Sequence, residues 1–193
     1  MKLVFASHNQ NKVQEIASLL PQEIELLSLT DIAFYDEIPE TELTLEGNSR
    51  LKAKTIYSKT GMYCFADDTG LEVSALNNRP GVFSARFAGD QKNDNDNIQK
   101  LLSELESIPN RNARFRTVIT LIINDEEFQF EGIVEGVIVS DKRGHSGFGY
   151  DPIFVPENEN RTFAEMDLVE KNSFSHRARA FQKMIDFLTN KRA

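Results

Sequence analysis

The sequence has no tryptophan and a single cysteine, Cys64. One cysteine excludes an internal disulfide, and its place in an apolar run reads as a small buried hydrophobe. Basic residues are in deficit: 22 Lys and Arg against 30 Asp and Glu leave a net charge of −8. A surface for a nucleic acid polymer needs a basic excess, so such a polymer is not the expected partner. A small anion remains open, because a local cluster of cations can hold one in an acidic chain. No apolar run approaches the roughly 20 residues of a membrane span, and Met1–Ala6 is too short for a signal peptide. The expectation is a soluble cytoplasmic protein with no membrane partner. With 193 residues, 40% of them hydrophobic, the chain suffices for one domain, taken as 1–193, with a sizeable core.

The stretch Met62–Leu71 organises what is present. Tyr63–Ala66 reads as a short buried strand. It delivers Asp67 and Asp68, then Thr69 and the turn residue Gly70. Alternation along a strand sends the two carboxylates to opposite sides. One could then serve a hard cation or a water, with the other in support. A solvated strand-to-turn junction is the other reading.

Earlier in the chain, Leu3–Ala6 predicts a central strand, Ser7–Lys12 a polar turn, and Val13, Ile16, Ala17 and Leu20 one face of a helix stopped by Pro21. Strand, polar loop and helix start make an anion site when something negative balances Lys12; a plain cap with an exposed lysine is the alternative. Ile24–Leu29 reads as a second strand. The acidic segment Asp36–Glu42 is functional only if a glutamate, most plausibly Glu40, faces the paired aspartates. Thr44–Ser58 predicts a helix ended by Gly61, with Lys52 in its middle.

Further on, Val82–Phe87 holds a buried-looking Arg86, expected to meet a carboxylate or a phosphate, with an internal salt bridge the favoured reading. Asp94–Leu105 is an amphipathic helix with Asp94 or Asp96 as its cap. Phe115–Ile123 and Glu127–Val139 read as an antiparallel meander turning at Asn124-Asp125. In Gly144–Phe154 three glycines surround two aromatics and an aspartate, which suits either close approach to a planar ligand or a tight turn anchored in the core. Thr162 and Glu165 fit a capping box. The final helix begins with His176, Arg177 and Arg179, three basic groups at its positive end.

The ordered set Ser7–Lys12, Asn48–Ala53, Ala66–Leu71 with Pro80–Gly89, Phe148–Phe154 and Ser175–Ala178 resembles one family. It is similar to the non-standard purine nucleoside triphosphate pyrophosphatases, the inosine triphosphatase or dITP/XTP pyrophosphatase family. The resemblance spans nearly the whole chain. It implies an α/β fold with an elongated mixed β-sheet flanked by helices, two lobes with a central substrate cleft, and a homodimer. It also implies Mg²⁺-dependent hydrolysis of ITP, dITP and XTP to a nucleoside monophosphate and pyrophosphate.

On that resemblance Asp68 is the proton acceptor and a metal ligand, Glu40 a metal ligand, and Asp67 part of the metal site. Lys52 is catalytic. Ser7, His8, Asn9, Gln10, Asn11 and Lys12 hold the triphosphate, and Thr69 touches substrate. Phe148 stacks on the purine, with Gly149, Tyr150 and Asp151 shaping the pocket. Lys171, His176 and Arg177 reach the base or the phosphates.

Two departures stand out. Gly47 replaces a capping-box glutamate, and His8 replaces the family's usual Gly or Asn. Two other functions compete: a nucleotide-binding regulator that does not hydrolyse, and an aspartic protease suggested by Asp68-Thr69-Gly70. The latter chemistry needs two such triplets facing each other.

Overall fold

A computed structural model describes residues 1–190. The elements run β1 (Lys2–Phe5), α1 (Gln10–Ala17), β2 (Glu25–Leu27), α2 (Leu45–Thr60), β3 (Cys64–Val73), β4 (Arg79–Gly81), α3 (Asp94–Glu104), β5 (Asn112–Ile123), β6 (Glu126–Ile138), β7 (Phe154–Pro156), α4 (Leu168–Asn172) and α5 (His176–Asn190). The strands form one mixed sheet in the order β2-β1-β3-β5-β6-β7, with β4 on β3. β1 is parallel to β2 and β3, whereas β4 and β7 run antiparallel to β3 and β6. The α/β class with a mixed sheet and flanking helices is as expected.

Local chemistry explains several boundaries. Thr44 caps α2 by accepting the Gly47 N–H at 3.0 Å, and Gly61 ends it at φ 65°, a left-handed conformation open to glycine. Asn124 and Asp125 sit at φ 52° and 63° between β5 and β6. That pair of positive angles makes the two-residue turn that matches strand twist. Asn93, one residue before Asp94 and three before Asp96, the two expected caps, starts α3 by accepting the Asp96 N–H. α1 stops at Ala17, well before Pro21, and Ala17 is exposed rather than packed.

The largest departure lies in β3. The strand does not turn at Asp68-Thr69-Gly70 but runs ten residues to Val73. β4 supplies the partner that extends it: Leu71 pairs with Gly81 and Val73 with Arg79. A Cβ on Gly70 would lie 2.5 Å from the Gly81 carbonyl oxygen. Gly70 is therefore a close-approach glycine within a strand, not a turn residue.

The chain forms two compact units. Unit 1 comprises residues 1–68, 117–132 and 177–193; unit 2 comprises 69–116 and 133–176. Within unit 1, Phe5 stacks on Phe65 at 4.7 Å, and the final helix adds Phe181, Met184 and Leu188 to the same core. A second unit 1 cluster joins Val4, Ala53, Ile56 and Cys64. Unit 2 has its own core, with Leu71, Ile98, Leu101, Phe115, Phe154 and Phe163. Each unit thus buries apolar surface independently, which holds its polar groups on a rigid base.

Candidate active site

Unit 1 gathers four carboxylates and three cations in two groups. Asp67 and Asp68 are consecutive in β3, so their side chains leave opposite faces. Asp67 accepts from Lys12 Nζ at 3.0 Å and from Arg177 Nε at 3.1 Å, one cation on each oxygen. Arg177 also binds Glu15 of α1 through Nη1. The row Glu15–Arg177–Asp67–Lys12 alternates in sign, and its first three members are almost wholly buried. Burial opposes Asp67's charge, but Lys12 and Arg177 outweigh it and hold the carboxyl far below its usual range. Burial also lowers Lys12, because Asp67 is shared with Arg177 and restores only part of what is lost.

Asp68 faces the other group. Its Oδ1 lies 3.4 Å from Lys52 Nζ, and the same Nζ donates to Glu40 Oε1 at 2.7 Å. Its Oδ2 accepts from the Asn48 amide at 3.2 Å. Burial is the main influence on Asp68 and raises its carboxyl, with Glu40 and Asp67 adding to the rise and Lys52 and Lys12 opposing it. Lys52 is also buried, yet Asp68 and Glu40 outweigh that and push it up to about 12. It stays cationic at neutral pH. Lys52 and Asn48 share a face because they are four residues apart on α2.

The loop before α1 is built differently from a bare helix start. Asn9 Oδ1 accepts the N–H groups of Asn11 and Lys12, and Ser7 Oγ accepts that of Asn9. Two of the donors expected to meet an anion are thus already taken. Gln10 opens α1. His8 stacks near Phe34, at 6.3 Å, and its Nε2 lies 3.0 Å from the Asp36 carbonyl oxygen. It ties the loop to the acidic segment. Gly47 has a steric reason: a Cβ there would lie 2.6 Å from the Glu42 Cβ.

Unit 2 holds the second set of expected residues. Asp151 Oδ2 accepts the Phe148 N–H at 2.9 Å and Lys171 Nζ at 2.6 Å. Lys171 Nζ also lies 5.1 Å from the Phe148 ring centre. Gly149 donates to Asp94 Oδ2 at 2.7 Å, and buried Tyr150 donates to the Ser84 carbonyl at 2.9 Å. Burial, and then Asp94, push the Tyr150 hydroxyl above its ordinary value, so it remains a donor. Gly147 sits at φ 74°, where a Cβ would collide with Asp151 Oδ2. Three tethers therefore fix the loop that carries Phe148. His176 stacks on Phe115 at 4.6 Å inside the unit 2 core. Thr69 follows the aspartates on β3, half-buried.

Some expected placements change. Arg177, expected at the base or phosphates, engages Glu15 and Asp67; carboxylates of the chain itself balance this one of the three basic groups at the start of α5. Asp67, expected in the metal site, has a cation on each oxygen. Arg86 is half-buried, with its guanidinium 5.2 Å from the Phe83 ring centre. Glu15, Asn48 and Asp94 were not singled out as site residues. Only Asn48 had a local signal, its spacing of four from Lys52.

Among the described residues no group of three or more His, Cys, Asp or Glu is arranged to hold a metal. Magnesium needs fewer, commonly one or two carboxylates completed by phosphate oxygens and water. Glu40 and Asp68, which converge on one lysine nitrogen, fit that donor set. Asp67 does not.

The sequence model of the Ham1 family matches residues 3–187. A protein of Flavobacterium psychrophilum named dITP/XTP pyrophosphatase is 57% identical over 190 residues, covering 98% of this chain and all of that protein. One of the same name from Bacillus subtilis is 44% identical over 96% of each chain. Among solved structures, the Staphylococcus aureus Ham1 protein matches with a TM-score of 0.90 and 36% identity, covering 99% of this chain and 100% of that one. A HAM1 protein from Coxiella burnetii matches at the same TM-score and 40% identity.

Proposed function

The chain belongs to the Ham1 family, and on that premise we propose that it hydrolyses dITP, XTP and ITP to the nucleoside monophosphate and pyrophosphate. The observation that carries the reading is the placement of Lys52 between Glu40 and Asp68, next to the Lys12–Asp67 pair. Such a group balances the charge of a polyphosphate against carboxylates that manage a water and a cation.

Asp68 is the proton acceptor. A water attacks the first phosphorus of the triphosphate, its proton passes to Asp68, and the bond to the departing pyrophosphate breaks. The burial that raises the Asp68 carboxyl makes it a stronger base than a solvated aspartate. Lys52 holds Asp68 and Glu40 in register and places a fixed positive charge beside the phosphate tail. Lys12 and the Ser7–Asn11 loop grip the tail. Magnesium, when bound by Glu40 and Asp68, supplies charge neutralisation on the phosphate oxygens and acidifies water.

The base is the task of unit 2 in this reading. Phe148 stacks on the purine ring, while Gly149, Tyr150 and Asp151 set the loop, and Lys171, beside Phe148, reaches the base or the phosphates with His176. A hydrogen-bond donor facing the 6-position donates to a keto oxygen and rejects the amino group of adenine. The active form is a homodimer.

Initial rates of pyrophosphate release from ITP, XTP, GTP and ATP, with Mg²⁺ and with it chelated, test the reading. ITP and XTP should be preferred, and chelation should stop the reaction. Asp68→Asn should bind ITP and fail to turn it over; parental turnover in that variant would overturn the assignment of the base. A nucleotide-binding regulator would release no pyrophosphate under any of these conditions. The protease alternative is not favoured, since Asp68-Thr69-Gly70 lies within a strand of an α/β sheet.

A further inference from the structure

Asn48 was assigned no role above, yet it is completely buried and makes two bonds of opposite sense. Its Nδ2 donates to Asp68 Oδ2 at 3.2 Å. Its Oδ1 accepts the backbone N–H of Glu42 at 3.0 Å. The backbone N–H can only donate and an ionised carboxylate can only accept, so one orientation of the amide satisfies both. Asn48 is therefore not an interchangeable polar filler. An ionised aspartate there could not donate, and an alanine could do neither.

The two bonds reach two different parts of the site. One end fixes Asp68. With Oδ2 held by Asn48, the carboxylate plane is set and Oδ1 is turned toward Lys52, the lysine that also binds Glu40. The other end holds Glu42, two residues after Glu40, in the acidic segment that has no helix or strand of its own. Lys52 grips that segment by a side chain; Asn48 grips it by the backbone. Both residues stand on α2, one turn apart.

From this we infer that Asn48 is a positioning residue that sets the orientation of the Asp68 carboxylate and keeps Glu40 in register with it. The inference rests on the reading of Asp68 as the base. It extends that reading by stating what fixes the Asp68 carboxylate and what holds the glutamate segment beside it.

Two variants separate the two bonds. Asn48→Asp keeps an acceptor for Glu42 and loses the donor to Asp68; Asn48→Ala loses both. Turnover of ITP should fall about ten- to a hundredfold in each, the usual range for a residue that orients a metal-site ligand. KM for ITP should stay within about threefold, because the triphosphate is gripped elsewhere. A readout independent of activity is hydrogen exchange at the Glu42 amide in protein freed of metal. Protection should persist in Asn48→Asp and be lost in Asn48→Ala. A merely structural asparagine would show the exchange split and a lower melting temperature but leave kcat of the folded variants near the parental value.

Parental kcat in folded Asn48→Asp overturns the role on Asp68, and unchanged Glu42 exchange in Asn48→Ala overturns the tether. If Asn48→Asp does not fold, parental kcat in Asn48→Ala is the overturning result. Asp68→Asn, run alongside, distinguishes failures: if it is inactive while Asn48→Asp is parental, only the Asn48 inference falls, and if it is active the reading of the base falls first.

Discussion

Arg177 is the buried cation on which unit 1 most depends, and Arg177→Met should reveal it. The guanidinium is 1% exposed and binds Glu15 and Asp67, whose side chains are 4% and 0% exposed. Methionine fills much of the same space without charge. It removes this cation from both Glu15 and Asp67, while Lys12 still pairs with Asp67. Removing one member of a buried ion pair costs about 3–5 kcal/mol, because a charge stays out of water uncompensated. A domain's whole stability is about 5–15 kcal/mol. With a slope of about 2 kcal/mol per molar urea, the unfolding midpoint should fall by about 1.5–2.5 M at pH 7.5.

The pH dependence carries its own sign. In the parent Asp67 has a depressed pKa, so its contribution is fully present above the ordinary value near 3.9 and is lost only as pH falls through the depressed one. Parental stability should therefore not change on this account between pH 7.5 and 5. In Arg177→Met burial is offset by one cation fewer, so the Asp67 carboxyl moves up from its depressed value. That upward move costs the variant stability while the carboxyl is charged, and the cost lifts as pH falls through the variant's pKa. The gap between variant and parent should narrow as pH falls through that range. Urea unfolding followed by circular dichroism from pH 7.5 downward measures it. A gap below about 1 kcal/mol at pH 7.5, the size of a surface pair, or one that does not narrow at any pH where the parent stays folded, refutes the reasoning. The double variant Glu15→Leu/Arg177→Met should be less destabilised than the single changes sum to.

Two further outcomes follow from burial and from the loop in unit 2. Burial pushes the Cys64 thiol up to about 12, so alkylation of native protein at pH 8 should be at least about a thousandfold slower than that of a free thiol near 8.5. Equal rates in native and urea-unfolded protein would contradict this. Phe148→Ala should raise KM for ITP about five- to a hundredfold, given about 1–3 kcal/mol per base stacked on an aromatic ring; an unchanged KM would remove Phe148 from the base pocket.

Sequence by itself determined whatever depends on near neighbours. The opposite facing of Asp67 and Asp68 follows from strand alternation alone. So do the Thr44 and Gly61 ends of α2, the Asn124-Asp125 turn, and the placing of Lys12 at the first turn of a helix after a strand. The five ordered motifs gave the family, and the family model and relatives agree with it.

Tertiary structure decided the partners. Glu15 and Arg177 lie 162 positions apart, and nothing within a turn of either shows which buried carboxylate an arginine will meet. Whether β3 ended at Gly70 depended on β4 folding back to pair with it. Which face of Asp68 met Asn48, and which glutamate Lys52 reached, were settled only when α2 packed beside β3. Capping and alternation are fixed by backbone geometry over a few residues. An ion pair or a shared hydrogen bond is fixed by whichever oppositely disposed group the packed core brings within 3 Å or so.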